Sequence, residues 1–226
     1  MSNLDHPQEI SIKRPKGIKT SKAFDQLGIL VLDGSGSMSE QTALHISKAD
    51  AVTQAVNELF SRCKQSRNRN NFSFAIVNYD HRSIVKMKPT PVKDVDDHGD
   101  YNPMDGLGGA TYISKGLEDA ENIAKEFLSQ SQDGGLKRSV VIVVMTNGVD
   151  MTEAETTSVA NRLKKMNNVF VSGCFFETLG ADSKDMHKCA DYVKTLCTDE
   201  TKFSMVSTAD ALRNFFEASM SNVAAI

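Results

Sequence analysis

Gly28-Ile29-Leu30-Val31-Leu32-Asp33-Gly34-Ser35-Gly36-Ser37-Met38-Ser39, residues 28–39, is the stretch from which the fold is read. Its first half is continuously apolar. A strand with one wet face would alternate, so an unbroken short run predicts a strand buried on both faces, as in a parallel sheet. The run stops at Asp33, where two glycines set between serines let the backbone turn sharply. A second run, Val140-Val141-Ile142-Val143-Val144-Met145, is almost entirely β-branched and ends in Thr146-Asn147-Gly148.

Around these two strands the chain alternates. Val52, Val56, Leu59 and Phe60 recur at helical spacing, and Phe72 to Tyr79 reads as another strand. Asp80-His81 then turns tightly into Ser83–Met87, which predicts a hairpin and hence one antiparallel edge strand. Residues 88–110 read as a loop, and Leu117, Ala120, Ile123, Ala124 and Phe127 mark a helix. Thr152-Glu153-Ala154-Glu155 has the form of a capping box opening a helix through Val159, Leu163 and Met166. Val169–Phe176 reads as a strand, 183–196 as a helix, Phe203–Val206 as a short strand, and Thr208 onward as a last helix with Leu212, Phe215 and Phe216. This order predicts an α/β, Rossmann-like fold, with a mostly parallel central sheet, one antiparallel edge strand, and helices on both faces. Ligands of such sheets bind at the C-terminal ends of the strands, so whatever follows Leu32 and Met145 lies on the functional edge.

The 226 residues, 40% apolar and 24% charged, fit one domain. Residues 1–23 are set apart as a polar arm carrying Lys13, Arg14, Lys16, Lys19 and Lys22, read as solvated or as a docking arm for an acidic partner; residues 24–226 form the domain. A net charge of −3 gives no overall attraction to nucleic acid or to an anionic membrane. Neither apolar run approaches the ~20 residues of a spanning helix, and the first residues lack a signal-peptide core. A cytoplasmic protein is expected, with Cys63, Cys174, Cys189 and Cys197 as reduced thiols.

Asp33, Ser35 and Ser37 alternate along the turn and can converge three oxygen ligands on one point. Magnesium takes six oxygens and keeps several waters, which suits one carboxylate and two hydroxyls. Gly108-Gly109-Ala110-Thr111 and Thr146-Asn147-Gly148 should reach the same edge, offering Thr111 and Asn147. Asp94, Asp96, Asp97 and Asp100 read as a solvated acidic loop, and the spacing of His187, Cys189 and Cys197 fits no common zinc pattern.

"LVLDGSGSMS", then "GGAT", then "VVIVVMTNGVD" resembles the von Willebrand factor A-type (vWA) domain and its metal-ion-dependent adhesion site, with the likeness running over residues 25–222. Within that family it resembles small bacterial vWA proteins of the tellurite-resistance and stress-response type. That resemblance implies a metal site of Asp33, Ser35, Ser37 and Thr111 with Asn147 beside it, holding Mg2+, or Mn2+ or Ca2+. It further implies a protein partner of a kinase- or phosphatase-like kind that supplies an Asp or Glu to the ion, and no catalysis. The family pattern has Asp where Asn147 stands, so weaker ion binding is expected, with Asp150 as a possible compensating carboxylate. Two alternatives stand beside this. A haloacid-dehalogenase-like phosphatase would use Asp33 as nucleophile, but Ser35 occupies the place of its general acid. A metal-independent scaffold with a decayed site would keep the fold alone.

Overall fold

Strands β1 (Phe24–Asp33), β2 (Phe72–Tyr79), β4 (Lys137–Thr146) and β5 (Val169–Phe176) are the apolar runs, and each is buried along most of its length. They appear in a computed structural model that describes residues 24–130, 136–177 and 183–221. The basic arm of residues 1–23, and residues 131–135, 178–182 and 222–226, lie outside the described residues.

With β3 (Ser83–Pro91) and β6 (Phe203–Val206) the strands form one six-stranded sheet in the order β3-β2-β1-β4-β5-β6. All neighbours are parallel except β2 and β3, the predicted hairpin at the edge. The edge strand runs four residues past the predicted Met87, through Pro89 to Pro91, into what the sequence reads as loop. Prolines lack an amide donor, and an edge strand can accept them where a central strand cannot.

Residues alternate strictly between two cores. Leu30 and Leu32 of β1 with Val141, Val143 and Met145 of β4 face α1 (Lys48–Gln65) and α5 (Ala209–Ser221). Leu27, Ile29 and Val31 with Val140, Ile142 and Val144 face α2 (Ile113–Ser129) and α3 (Glu153–Lys164). Helix α4 (Ser183–Leu196) packs on β5 on this second side, through Ala190 and Val193 against Phe175. Both faces of the sheet are thus covered, which is why the strands read as continuous runs.

The strand order reverses direction between β1 and β4. Right-handed crossovers then put α1 on one face and α2, α3 and α4 on the other, and they open a crevice at the C-terminal ends of β1 and β4. The loop after β3 is less solvated than its acidic composition suggests. Val92, Val95 and Tyr101 are buried against α1, with the Tyr101 ring edge-on to Phe60 at 5.3 Å. Its carboxylates are engaged locally: Asp97 pairs with Lys64 at 2.5 Å, and Asp96 and Asp100 accept from the backbone N–H groups of His98 and Asn102. Among the described residues no helix is long and apolar enough to cross a membrane.

Candidate functional site at the ends of β1 and β4

The last residue of β1, Asp33, has no exposure to solvent. One of its oxygens accepts from the Ser35 backbone N–H at 2.8 Å, and the other from the Thr146 hydroxyl, at the end of β4, at 2.7 Å. Among the described residues no cationic side chain pairs with it. Burial pushes its carboxyl above the ordinary carboxylate range, against the pull of the hydrogen bonds from Ser35 and Thr146.

Past Asp33 the chain passes into a short 3-10 turn, Gly36–Ser39. Gly34 donates to the Tyr79 carbonyl, and a side chain there would strike the carbonyl oxygen of Pro103. The turn presents a chain of hydroxyls: Ser35 Oγ lies 3.1 Å from Ser37 Oγ, which donates to Asn147 Oδ1 at 2.9 Å. Thr111 completes the group. A methyl built on Gly148 would lie 3.5 Å from Thr111 Oγ1 and 3.9 Å from Ser37 Oγ, so both hydroxyls flank this glycine. The structure therefore brings Asp33, Ser35, Ser37, Thr111 and Asn147 to one edge. They offer one carboxylate, three hydroxyls and an amide oxygen, a set of hard oxygen donors that suits magnesium or manganese. Among the described residues no group of three or more His, Cys, Asp or Glu side chains is placed to hold a metal.

Asn147 is itself buried, and its Nδ2 has no hydrogen-bond partner among the described residues. Leaving a buried amide donor unsatisfied costs about 1–3 kcal/mol. Asp150 does not make up for the missing carboxylate. Its Oδ1 accepts from Ile113 N at 3.2 Å, Thr152 N at 3.0 Å and Thr152 Oγ1 at 3.0 Å, and its Oδ2 accepts from the Tyr192 hydroxyl at 3.2 Å. It thereby caps the starts of both α2 and α3. The capping box expected at Thr152–Glu155 is accordingly not formed: the Thr152 hydroxyl turns back to the carboxylate of Asp150, a stronger acceptor, and makes no cap bond of its own.

Three further residues shape the site that the sequence did not single out. Thr146 fixes the Asp33 carboxylate. Asp80, just past β2, accepts from Gly108 N at 3.2 Å, Gly109 N at 3.0 Å and Arg82 N at 2.9 Å, and so holds the loop that delivers Thr111. Burial opposes its charge, but these N–H groups and His81 keep its carboxyl below the ordinary range. Tyr192 ties α4 to this edge through Asp150 and the Glu153 carbonyl. The positions of Thr146 and Asp80 at strand ends were the available signal; Tyr192 carries none. Val149 and Met151, with 56% and 63% exposure, stand on the loop that follows Asn147.

The family model described as von Willebrand factor type A domain matches residues 29–150, which include all five converging residues. No curated protein matches the chain. The pilus adhesin SpaC of Lactobacillus rhamnosus GG superposes with a TM-score of 0.72 at 14% identity, over 92% of this chain and 32% of its own, so the chain spans about a third of that adhesin. The vWF domain of the type V pili tip protein Mfa5 of Porphyromonas gingivalis aligns at a TM-score of 0.63 and 12% identity, over 90% of this chain and 96% of its own. The conserved hypothetical protein BatB of Bacteroides thetaiotaomicron aligns at 0.57 and 11%, over 88% and 99%. At these identities the likeness is one of fold.

Proposed function

The chain belongs to the von Willebrand factor type A domain family, and from that premise we propose that it is a protein-binding module whose Asp33, Ser35, Ser37 and Thr111 hold a divalent cation, Mg2+ or Mn2+, for a carboxylate of the partner to complete. The observation that carries this reading is Asp33 itself. It is a fully buried carboxylate without a cationic partner among the described residues, beside a chain of hydroxyls with free lone pairs. An isolated buried charge is costly, and a cation at that point removes the cost.

A bound ion would supply a positive centre for an incoming carboxylate. The chain's own residues set how it does so. With Asn147 in place of a second carboxylate, a divalent ion beside Asp33 keeps a net charge of +1, so ion affinity is lowered while attraction for an acidic partner is raised. Asp80 holds the Thr111 loop, and Thr146 holds Asp33, so the donors are positioned before any ion arrives. The exposed Val149 and Met151, on the loop that carries Asn147, give a partner apolar surface. The adhesin and pilus-tip names of the structural neighbours support a protein as partner; the kinase- or phosphatase-like class and the stress-response role rest on the sequence resemblance alone.

Calorimetric titration of Mg2+ and Mn2+ into the protein tests the site. Weak binding is expected in the parent, none in Asp33→Ala, and tighter binding in Asn147→Asp, by on the order of tenfold. No binding to any of the three at millimolar ion sinks the metal-dependent reading for the free protein. The phosphatase alternative needs a proton donor where Ser35 stands; metal-dependent turnover of an aryl phosphate, lost in Asp33→Asn, would restore it over the binding module.

A further inference from the structure

We propose that Asn147 is a self-deamidation site, and that the carboxylate formed there completes the oxygen cluster at the ends of β1 and β4. The first part stands on local geometry; its consequence for ion binding rests on the metal site proposed above.

Four features at this pair of residues point the same way. Gly148 follows Asn147, so no side chain screens the backbone nitrogen that must reach the Asn147 side chain. That nitrogen is weakly held, with a long contact of 3.4 Å to Thr146 Oγ1. Ser37 Oγ donates to Asn147 Oδ1 at 2.9 Å, where negative charge develops when the amide carbon is attacked. Asn147 Nδ2, the leaving nitrogen, is buried with no hydrogen-bond partner among the described residues, so its departure breaks none.

The chemistry needs only water. The Gly148 nitrogen forms a bond to Asn147 Cγ, and the Cγ–Nδ2 bond breaks. Nδ2 leaves as ammonia, carrying the proton that the Gly148 nitrogen gives up, and a five-membered succinimide remains. Water then adds to Cγ and the bond from Cγ to the Gly148 nitrogen breaks, which restores the peptide chain and leaves an aspartate side chain. Addition of water at the main-chain carbonyl carbon gives isoaspartate, whose extra backbone methylene would carry the carboxylate out of reach of Ser37. The first product is the one proposed. It keeps an acceptor for the Ser37 hydroxyl, removes the orphaned Nδ2, and sets a second negative charge near Asp33. That charge is unfavourable alone and favourable once a cation lies between the two. Time since synthesis would thus set the ion affinity of the module.

The test incubates the full-length folded chain at neutral and mildly alkaline pH in heavy-oxygen water, followed by mass spectrometry of the peptide spanning residues 147–148. Conversion of amide to acid is expected at Asn147, with one heavy oxygen incorporated, chiefly as aspartate. The rate in the folded chain should equal or exceed that of the urea-denatured chain. Gly148→Ala should fold, because the added methyl meets only ordinary contacts at 3.5 and 3.9 Å, and should slow the conversion by on the order of tenfold. Ser37→Ala should slow it in the folded chain and not in the denatured one. A folded chain that keeps its amide while the denatured chain loses it overturns the proposal, as does isoaspartate as the main folded-state product. Magnesium titration of the aged sample separates the two readings. Aspartate formation without any gain in ion affinity leaves the modification standing and overturns the metal site; ion binding by a chain that never converts does the reverse.

Discussion

Asp33 at the end of β1 and Glu121 in the seam between α2 and α3 are both buried carboxylates, with exposures of 0% and 5%, yet their surroundings are opposite. Glu121 meets the Arg162 guanidinium at 2.7 Å and Lys125 at 2.8 Å, and the bonds from Arg162 hold its carboxyl below the ordinary range despite burial. Ser35 and Thr146 donate to Asp33, no cationic side chain pairs with it among the described residues, and burial drives its carboxyl upward. The helix seam is satisfied within the chain and adds to stability. The strand-end carboxylate has no cationic partner among the described residues, a cost that the proposed ion would remove.

The sharpest way to test this division is a third carboxylate, Asp150, which lies at the strand-end edge and yet is fully satisfied. Asp150→Ala removes the acceptor for the first N–H of α2, for the N–H of Thr152 just before α3, and for Tyr192. It should lower unfolding free energy by about 2–3 kcal/mol, measured by urea denaturation. If the loss is negligible, Asp150 is not the double cap described, and its carboxylate is available to an ion after all.

Asp33→Asn should act in the opposite direction. The amide keeps an acceptor for Ser35 N, and the Thr146 hydroxyl can rotate to accept from the new NH2. Without the buried charge, the metal-free protein should gain about 1 kcal/mol, raising Tm by about 2–4 °C, while ion binding is lost. The pH signature follows from the sign of the shift. A carboxyl raised in the folded state stabilises the fold at low pH, and that contribution is lost as pH rises through the folded value. The advantage of Asp33→Asn should therefore grow as pH rises through the raised folded value and vanish below the ordinary carboxylate range.

Glu121→Gln should show the smallest change and the mirror-image signature. Arg162 is half exposed, so the pair contributes about 0.5–1 kcal/mol. That stabilisation is present above the ordinary carboxylate value and disappears as pH falls through the depressed folded value, and wild type and variant should converge in acid. Identical pH profiles for Asp33→Asn and Glu121→Gln, read by thermal unfolding across pH, would erase the distinction between the two regions.

What the sequence determined by itself is the sheet and the address of the site. Continuous apolar runs such as Val140–Met145 are legible because burial on both faces removes any need for polar residues, and this requirement acts residue by residue along the chain. The same logic placed Asp33, Ser35, Ser37 and Asn147 just past strand ends, and the loop before α2 adds Thr111, to which the sequence resemblance points. What only the tertiary structure decided is which polar groups serve the site and which serve the fold. The sequence shows Thr152-Glu153-Ala154-Glu155 as a capping box and Asp150 as a spare carboxylate, and both readings fail on one hydrogen bond, from Thr152 Oγ1 to Asp150. Thr146 meets Asp33 across 113 residues, and Ile113 meets Asp150 across 37. Such pairings are set by how the helices pack on the sheet. A local pattern offers a hydroxyl or a carboxylate several acceptors and donors, and only the assembled fold selects one of them.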